Sequence, residues 1–219
     1  GYNSAVGTSY ETVTDLGTNN LPSSAAVVSI VSASTADTSA GTGARTVEIQ
    51  GLDANYIEKT ETVTMNGQSA VTTTATFIRV FRMRVASAGT GEVNAGNITA
   101  SISSSDVARI SANEGQTLMA VYTVPANKTA YITNYYAHHN PTTGQQFTSN
   151  PIRLWAKDNA NSYERQINHI TGLVVDGFFQ HQFEPYPKFT EKTDLDVRVR
   201  GSSNALVTSE YTLVLVDNA

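Results

Sequence analysis

The chain has 219 residues, a formal net charge of -5 and a hydrophobic fraction of 40%, enough for one large domain or two small ones with a packed core. No stretch approaches the ~20 apolar residues of a membrane helix, the acidic balance argues against a nucleic-acid partner, and Cys 0 excludes disulfides, thiolate metal sites and a cysteine nucleophile. Only 15% of residues are charged, while Ser and Thr make up roughly a fifth of the chain, a mix that favours strands and turns over helices.

Residues 1–22 are polar and show no sustained period, with Gly7, Gly17 and the pair Asn19-Asn20. They read as an N-terminal arm that reaches a neighbouring surface or stays loose. No signal-peptide pattern opens at Gly1, and without an initiator Met the chain is expected to be processed or trimmed. The character changes at Ala25, where AAVVSIVS forms a short apolar run before a loop containing Asp37, Gly41 and Gly43. Residues 45–51 alternate, with Val47 and Ile49 on one face and Thr46, Glu48 and Gln50 on the other, as in a half-buried strand. Residues 56–65 continue as a strand with Glu58, Thr60, Thr62 and Thr64 on one face. Asn66-Gly67 is the strongest hairpin signal, because a type I′ turn needs positive φ at both central residues.

Residues 74–85 read as one long strand. Phe77, Arg79, Phe81, Met83 and Val85 share one face and Ile78, Val80, Arg82 and Arg84 the other, which predicts cover on both sides. Short strands follow at 97–102, 107–110 and 117–124, then a tight turn at Pro125-Ala126-Asn127-Lys128 and a strand at 129–136. Beyond a polar loop at 140–151, strands are expected at 152–157, 163–170, 177–184, around Leu195, Val197 and Val199, and at 205–216. About a dozen short strands at intervals of roughly 8–15 residues, with no segment of helical period, predict an antiparallel β-sandwich. The expected organisation is an arm over 1–22 and one sandwich over 23–219, with a weak subdivision near Gly115.

Residues able to carry chemistry are present but not arranged in a recognisable motif. His138 and His139 are adjacent and point to opposite faces of a strand, so a metal site with His169 and His181 is geometrically conceivable and disfavoured. Glu58 and Glu61 would also face apart. Glu184, Glu191, Asp194 and Asp196 cluster in sequence, but a glycosidase needs a defined separation between two carboxylates, and cross-strand pairing of Asp194 and Asp196 with Arg198 and Arg200 is the plainer reading. Asp158-Asn159-Ala160-Asn161 lacks the ligand pattern of a calcium loop and reads as a turn, as do Asp53 and Asn55. No Ser sits in a nucleophile elbow, and Gly89-Thr90-Gly91 lacks the rest of a phosphate loop. Arg79, Arg82 and Arg84 divide between two faces. Asn97 and Asn127 begin sequons of the kind a Thr-rich chain produces by chance. Tyr135-Tyr136, Trp155 and Phe178-Phe179 are the best indicators of contact surfaces, since aromatic residues anchor interfaces as well as cores. No catalytic, cofactor-binding or metal residue is assigned, and no cofactor is expected.

Two runs carry a resemblance. ARTVEIQGLDANYIEKTETVTMNGQSAVTTTATFIRVFRMRV (44–85) and QTLMAVYTVPANKTAYITNYY (116–136) resemble segments of virion structural proteins of tailed phages, particularly marine phages. The resemblance implies a jelly-roll-like β-sandwich located in the virion and assembled in the host cytoplasm. It implies a capsid decoration or cement protein bound to the major capsid protein or other virion proteins, forming a homo-oligomer with a trimer favoured. It carries no catalytic or binding residue. The alternatives are a tail, collar or fibre component, a carbohydrate-binding module using Trp155 with the Tyr pair, and a polysaccharide-degrading enzyme using Glu184, Glu191 and Asp196.

Overall fold

The computed structural model describes residues 1–140, 151–170, 177–201 and 205–218. Among them are seventeen strands and no helix. The first nine are β1 (Tyr2–Val6), β2 (Glu11–Thr12), β3 (Ala26–Ser32), β4 (Ala44–Leu52), β5 (Glu58–Thr64), β6 (Val71–Phe77), β7 (Arg79–Ala88), β8 (Ile98–Ile102) and β9 (Ser105–Ile110). The remainder are β10 (Val121–Thr123), β11 (Lys128–Asn140), β12 (Ile152–Asp158), β13 (Tyr163–Ile170), β14 (Gly177–Gln182), β15 (Lys188–Phe189), β16 (Thr193–Val199) and β17 (Ala205–Asp217). Every pairing between them is antiparallel. The expectation of an all-β antiparallel sandwich therefore holds.

The chain divides into two compact units, one made of Gly1–Asn19 with Met119–Ala219 and the other of Asn20–Leu118. This differs from the expected arm and single sandwich. In the first unit, one sheet runs β1-β17-β11-β14 with β15 also on β11, and the other runs β10-β16-β12-β13 with β2 also on β16. Val6, Val13, Tyr135, Leu154, Val197 and Val207 are fully buried in the core they share. The segment read as an arm is thus built into this unit: Tyr2 and Asn3 pair with Thr208 and Val207, and Thr12 pairs with Arg198. Its lack of period has a physical cause. Edge strands are held through backbone groups, and Val6 and Val13 suffice to bury the segment's inner side.

β2 and β10 lie end to end on one edge of β16. They meet at Val197, whose carbonyl accepts from the Val13 amide (2.8 Å) and whose amide donates to the Ala120 carbonyl (3.1 Å). Ala120 in turn donates to the Val13 carbonyl (3.0 Å). In effect the two pieces form one edge strand, opened to admit the second unit.

The second unit has a four-stranded sheet, β6-β3-β8-β9, and a three-stranded sheet, β5-β4-β7. The alternation read over 45–51 is present, with Val47 and Ile49 fully buried. The expected long strand over 74–85 is two strands, because the chain turns at Ile78 and passes from one sheet to the other. Phe77, Ile78, Arg79 and Val80 are all buried at this corner, which explains apolar residues on both faces. Gly51 makes the corner possible, since a Cβ there would lie 2.0 Å from the Arg79 carbonyl oxygen.

The Asn66-Gly67 hairpin is not formed. Only Gly67 takes positive φ (60°), and the flanking strands belong to different sheets, β5 pairing β4 and β6 pairing β3. The tight two-residue hairpin lies instead between β8 and β9, at Ser103 (φ 48°) and Ser104 (φ 67°). Asp37, read as a loop residue, is fully buried. Its Oδ1 accepts from the Ala44 and Ala95 amides (2.7 and 2.8 Å) and its Oδ2 from the Ser32 hydroxyl and the Gly96 amide (2.6 and 3.0 Å).

Candidate interaction surface

β11 is the central strand of the five-stranded sheet and places Tyr135 and Tyr136 on opposite sides of it. Tyr135 points inward and is fully buried, and burial pushes its hydroxyl above the usual phenol range. Inward rings continue on β14. Phe179 meets Tyr135 edge-on (6.1 Å between centroids), His181 stacks on Phe179 (6.2 Å), and Phe183 meets His181 edge-on (4.6 Å). This ladder fixes which residues of β14 face out.

The outward residues of the same strands form a face of mixed aromatic, aliphatic and neutral polar character. Phe178 is 57% exposed and its ring meets Tyr136 edge-on at 5.0 Å. Gln180 and Gln182 continue that edge. On β17, Thr212, Val214 and Val216 point outward, the two valines 49% and 47% exposed, with Tyr131 opposite Val214. Among the described residues of β11, β14 and β17, Glu210 is the one charge placed within this face. Lys128 and Asp217 pair with each other at one end, and Lys188 of β15 stands at the border. A solvated sheet face normally alternates to charged and polar side chains, and the cores of protein interfaces are depleted in charge and enriched in aromatics.

The outer face of the opposite sheet is organised differently. Arg198 lies over the Trp155 ring (4.9 Å to the centroid) and pairs with Asp196 (2.8 Å) and Glu164. Arg153 and Arg200 both lie against Tyr10 (4.3 and 5.0 Å). Burial pushes the Asp196 carboxyl up against the pull of Arg198. Asp194 accepts from the Thr123 hydroxyl (2.6 Å) and the Asn159 side chain (2.7 Å). The expected cross-strand pairing is therefore replaced: Asp196 bonds Arg198 on its own strand, and Arg200 stacks on Tyr10.

The remaining expected residues are dispersed. Trp155 and the Tyr pair belong to different sheets, and buried Tyr135 offers no ring to a sugar, so the proposed joint stacking surface is not assembled. His138 faces outward, His139 is fully buried inward, and His181 lies in the aromatic ladder. His169 belongs to β13, in the other sheet. Among the described residues no group of three or more His, Cys, Asp or Glu is close enough to hold a metal. Glu184 is exposed, Glu191 accepts from the Asn127 amide (2.6 Å), and Glu61 binds the Thr74 and Ala75 amides (2.7 and 2.8 Å). Glu58 is exposed on β5. Arg79 is buried on the Pro22 and Ile78 carbonyls, Arg82 bonds Gln116, and Arg84 is bidentate to Glu48. Asp53 caps its own turn through the Asn55 and Ile57 amides. Sequence reasoning singled out both aromatic pairs as indicators of contact surfaces but had no signal for which ring of each faces out. The parity is set by the ladder on the inner side.

Against models of known protein families, curated proteins and solved structures, the chain finds no match.

Proposed function

We propose that this chain is a non-enzymatic structural protein of a phage particle, a decoration or cement protein that docks on the major shell protein. The observation that carries the reading is the outer face of the five-stranded sheet: exposed Phe178, Val214 and Val216 with Tyr131 and Tyr136, interrupted among the described residues of β11, β14 and β17 only by Glu210, with Lys188 at the border. The resemblance of residues 44–85 and 116–136 to virion proteins supplies the particle, and the jelly-roll-like arrangement belongs to the same reading. The mechanism is passive. A stable interface buries about 1,600 Å² in total, symmetric shell positions favour cyclic assemblies such as a trimer, and repetition over many copies adds avidity.

The test is a density gradient of lysate from the source, with mass spectrometry of the particle fractions. Near-stoichiometric co-migration with the major shell protein is expected. A few copies per particle would move the protein to the tail, collar or fibre, and absence from particles overturns the virion reading. Phe178→Lys should weaken particle binding at least tenfold at unchanged melting temperature, because its side chain is exposed.

A further inference from the structure

The first unit carries a second feature, which borders the outward face at Lys188. Its two sheets leave an open seam between the edge strands β13 and β15. A cavity of about 170 Å³ lies there, and Asp158, Tyr163, Arg165, Lys188 and Phe189 are among its lining. Alternation on β13 turns Tyr163 and Arg165 toward the seam, opposite Asp158 and Ala156 of β12. The Arg165 guanidinium lies over both the Phe189 ring (5.7 Å to the centroid) and the Tyr163 ring (6.0 Å).

Charge in the cavity is unbalanced. Its one carboxylate, Asp158, accepts from the Ala160 and Asn161 amides (3.0 Å each) and the Asn161 side chain (2.9 Å). Against burial, these bonds and the positive charge of Arg165 hold it below its ordinary value, so two cations face one anion. Arg165 and Lys188 form no ion pair among the described residues, in a chain whose net charge is -5. The rest of the lining is an aromatic ring 46% exposed at Tyr163 and neutral donors and acceptors on Asn161, Thr190 and Thr193.

We infer that this seam binds one carboxylated sugar residue, a uronic acid, within an acidic polysaccharide. Each part of the cavity matches one part of such a ligand. A planar guanidinium placed over an aromatic ring presents paired donors to a carboxylate. An exposed aromatic face takes the C–H face of a sugar ring. Amide and hydroxyl side chains take its hydroxyls. The inference goes beyond the docking role and does not depend on it.

The experiment is calorimetric titration of the whole protein with D-glucuronate and with tri-galacturonate, alongside D-glucose and acetate. Saturable binding of both uronates is expected, at least tenfold tighter than glucose or acetate. Arg165→Gln should weaken it at least tenfold, Tyr163→Ala at least fivefold, and Tyr163→Phe and the distant Arg84→Gln should leave it unchanged. Melting temperatures of all variants establish that they are folded, and Tyr163→Ala and Tyr163→Phe decide the matter if Arg165→Gln is not. Absence of uronate binding, acetate binding as tightly as glucuronate, or affinity that survives both Arg165→Gln and Tyr163→Ala would overturn the inference.

Discussion

Asp37 shows how much one side chain can organise. Its carboxylate gathers three amides and a hydroxyl from three places in the second unit, in a site closed to water. Removing it leaves buried donors unsatisfied, each at a cost of about 1–3 kcal/mol. Asp37→Ala should therefore destabilise the Asn20–Leu118 unit by about 3 kcal/mol or more, read as a fall in its calorimetric transition. Asp37→Asn should also be destabilising, because an amide nitrogen would face an N–H on one side whichever way it turns. A change under about 1 kcal/mol for Asp37→Asn would show that the cluster is not cooperative. Gly43 is part of the same arrangement, as a Cβ there would sit 2.1 Å from the Asp37 Oδ1. None of this was legible in the sequence, where an Asp among Ser, Thr and Gly reads as a turn. Conversely, Asn66-Gly67 offers ideal hairpin chemistry, yet the tight turn is made by Ser103-Ser104. Local preference for positive φ was overridden by the sheet to which each flanking strand belongs.

Strands were legible wherever one side chain in two is buried by the core. β4 is the clear case, and β13 matches its expected span of 163–170. The division of the stretch over 74–85 into β6 and β7 was not legible, because no Gly or Pro marks Ile78. The signal lies on the neighbouring strand, in Gly51, and becomes meaningful only once the pairing is known. The candidate docking face shares this limit: Phe178-Phe179 marks a contact surface, and only the inner ladder shows that Phe178 is the ring facing out.

A clasp between elements gives a pH prediction. Glu61 on β5 holds the Thr74 and Ala75 amides of β6, joining the two sheets of the second unit. Burial opposes its charge, but those amides and the Thr74 hydroxyl outweigh burial and hold the carboxyl below its ordinary value of 4.5. A lowered carboxyl pKa contributes stability that is present above the unfolded value and is lost as pH falls through the folded one. The wild-type chain should therefore lose stability in the second unit as pH drops below about 4.5. Glu61→Gln should be weaker by about 1 kcal/mol at neutral pH, since solvent screens bonds to a largely exposed carboxylate, with the difference shrinking on acidification. Melting curves from pH 7 to pH 3 check this, and a constant difference across that range would contradict it.

At the scale of the whole molecule, the second unit is inserted into the first at a point where entering and leaving chains already bond each other, Val13 to Ala120. Two calorimetric transitions are expected. Replacing Asn20–Leu118 with a short Gly-Ser linker should leave the first unit folded, with β-sheet circular dichroism and its own transition retained, while loss of cooperative melting would show that the insert is required. The same connectivity orders events during synthesis. The inserted unit is contiguous and finds all its partners early, whereas β1 must wait for β17, since Tyr2 pairs with Thr208. At about 5–20 residues per second, the opening strand spends on the order of ten seconds or more on the ribosome with its ladder unmade. Whatever shields that nascent edge from other chains in the interval governs the yield of folded protein.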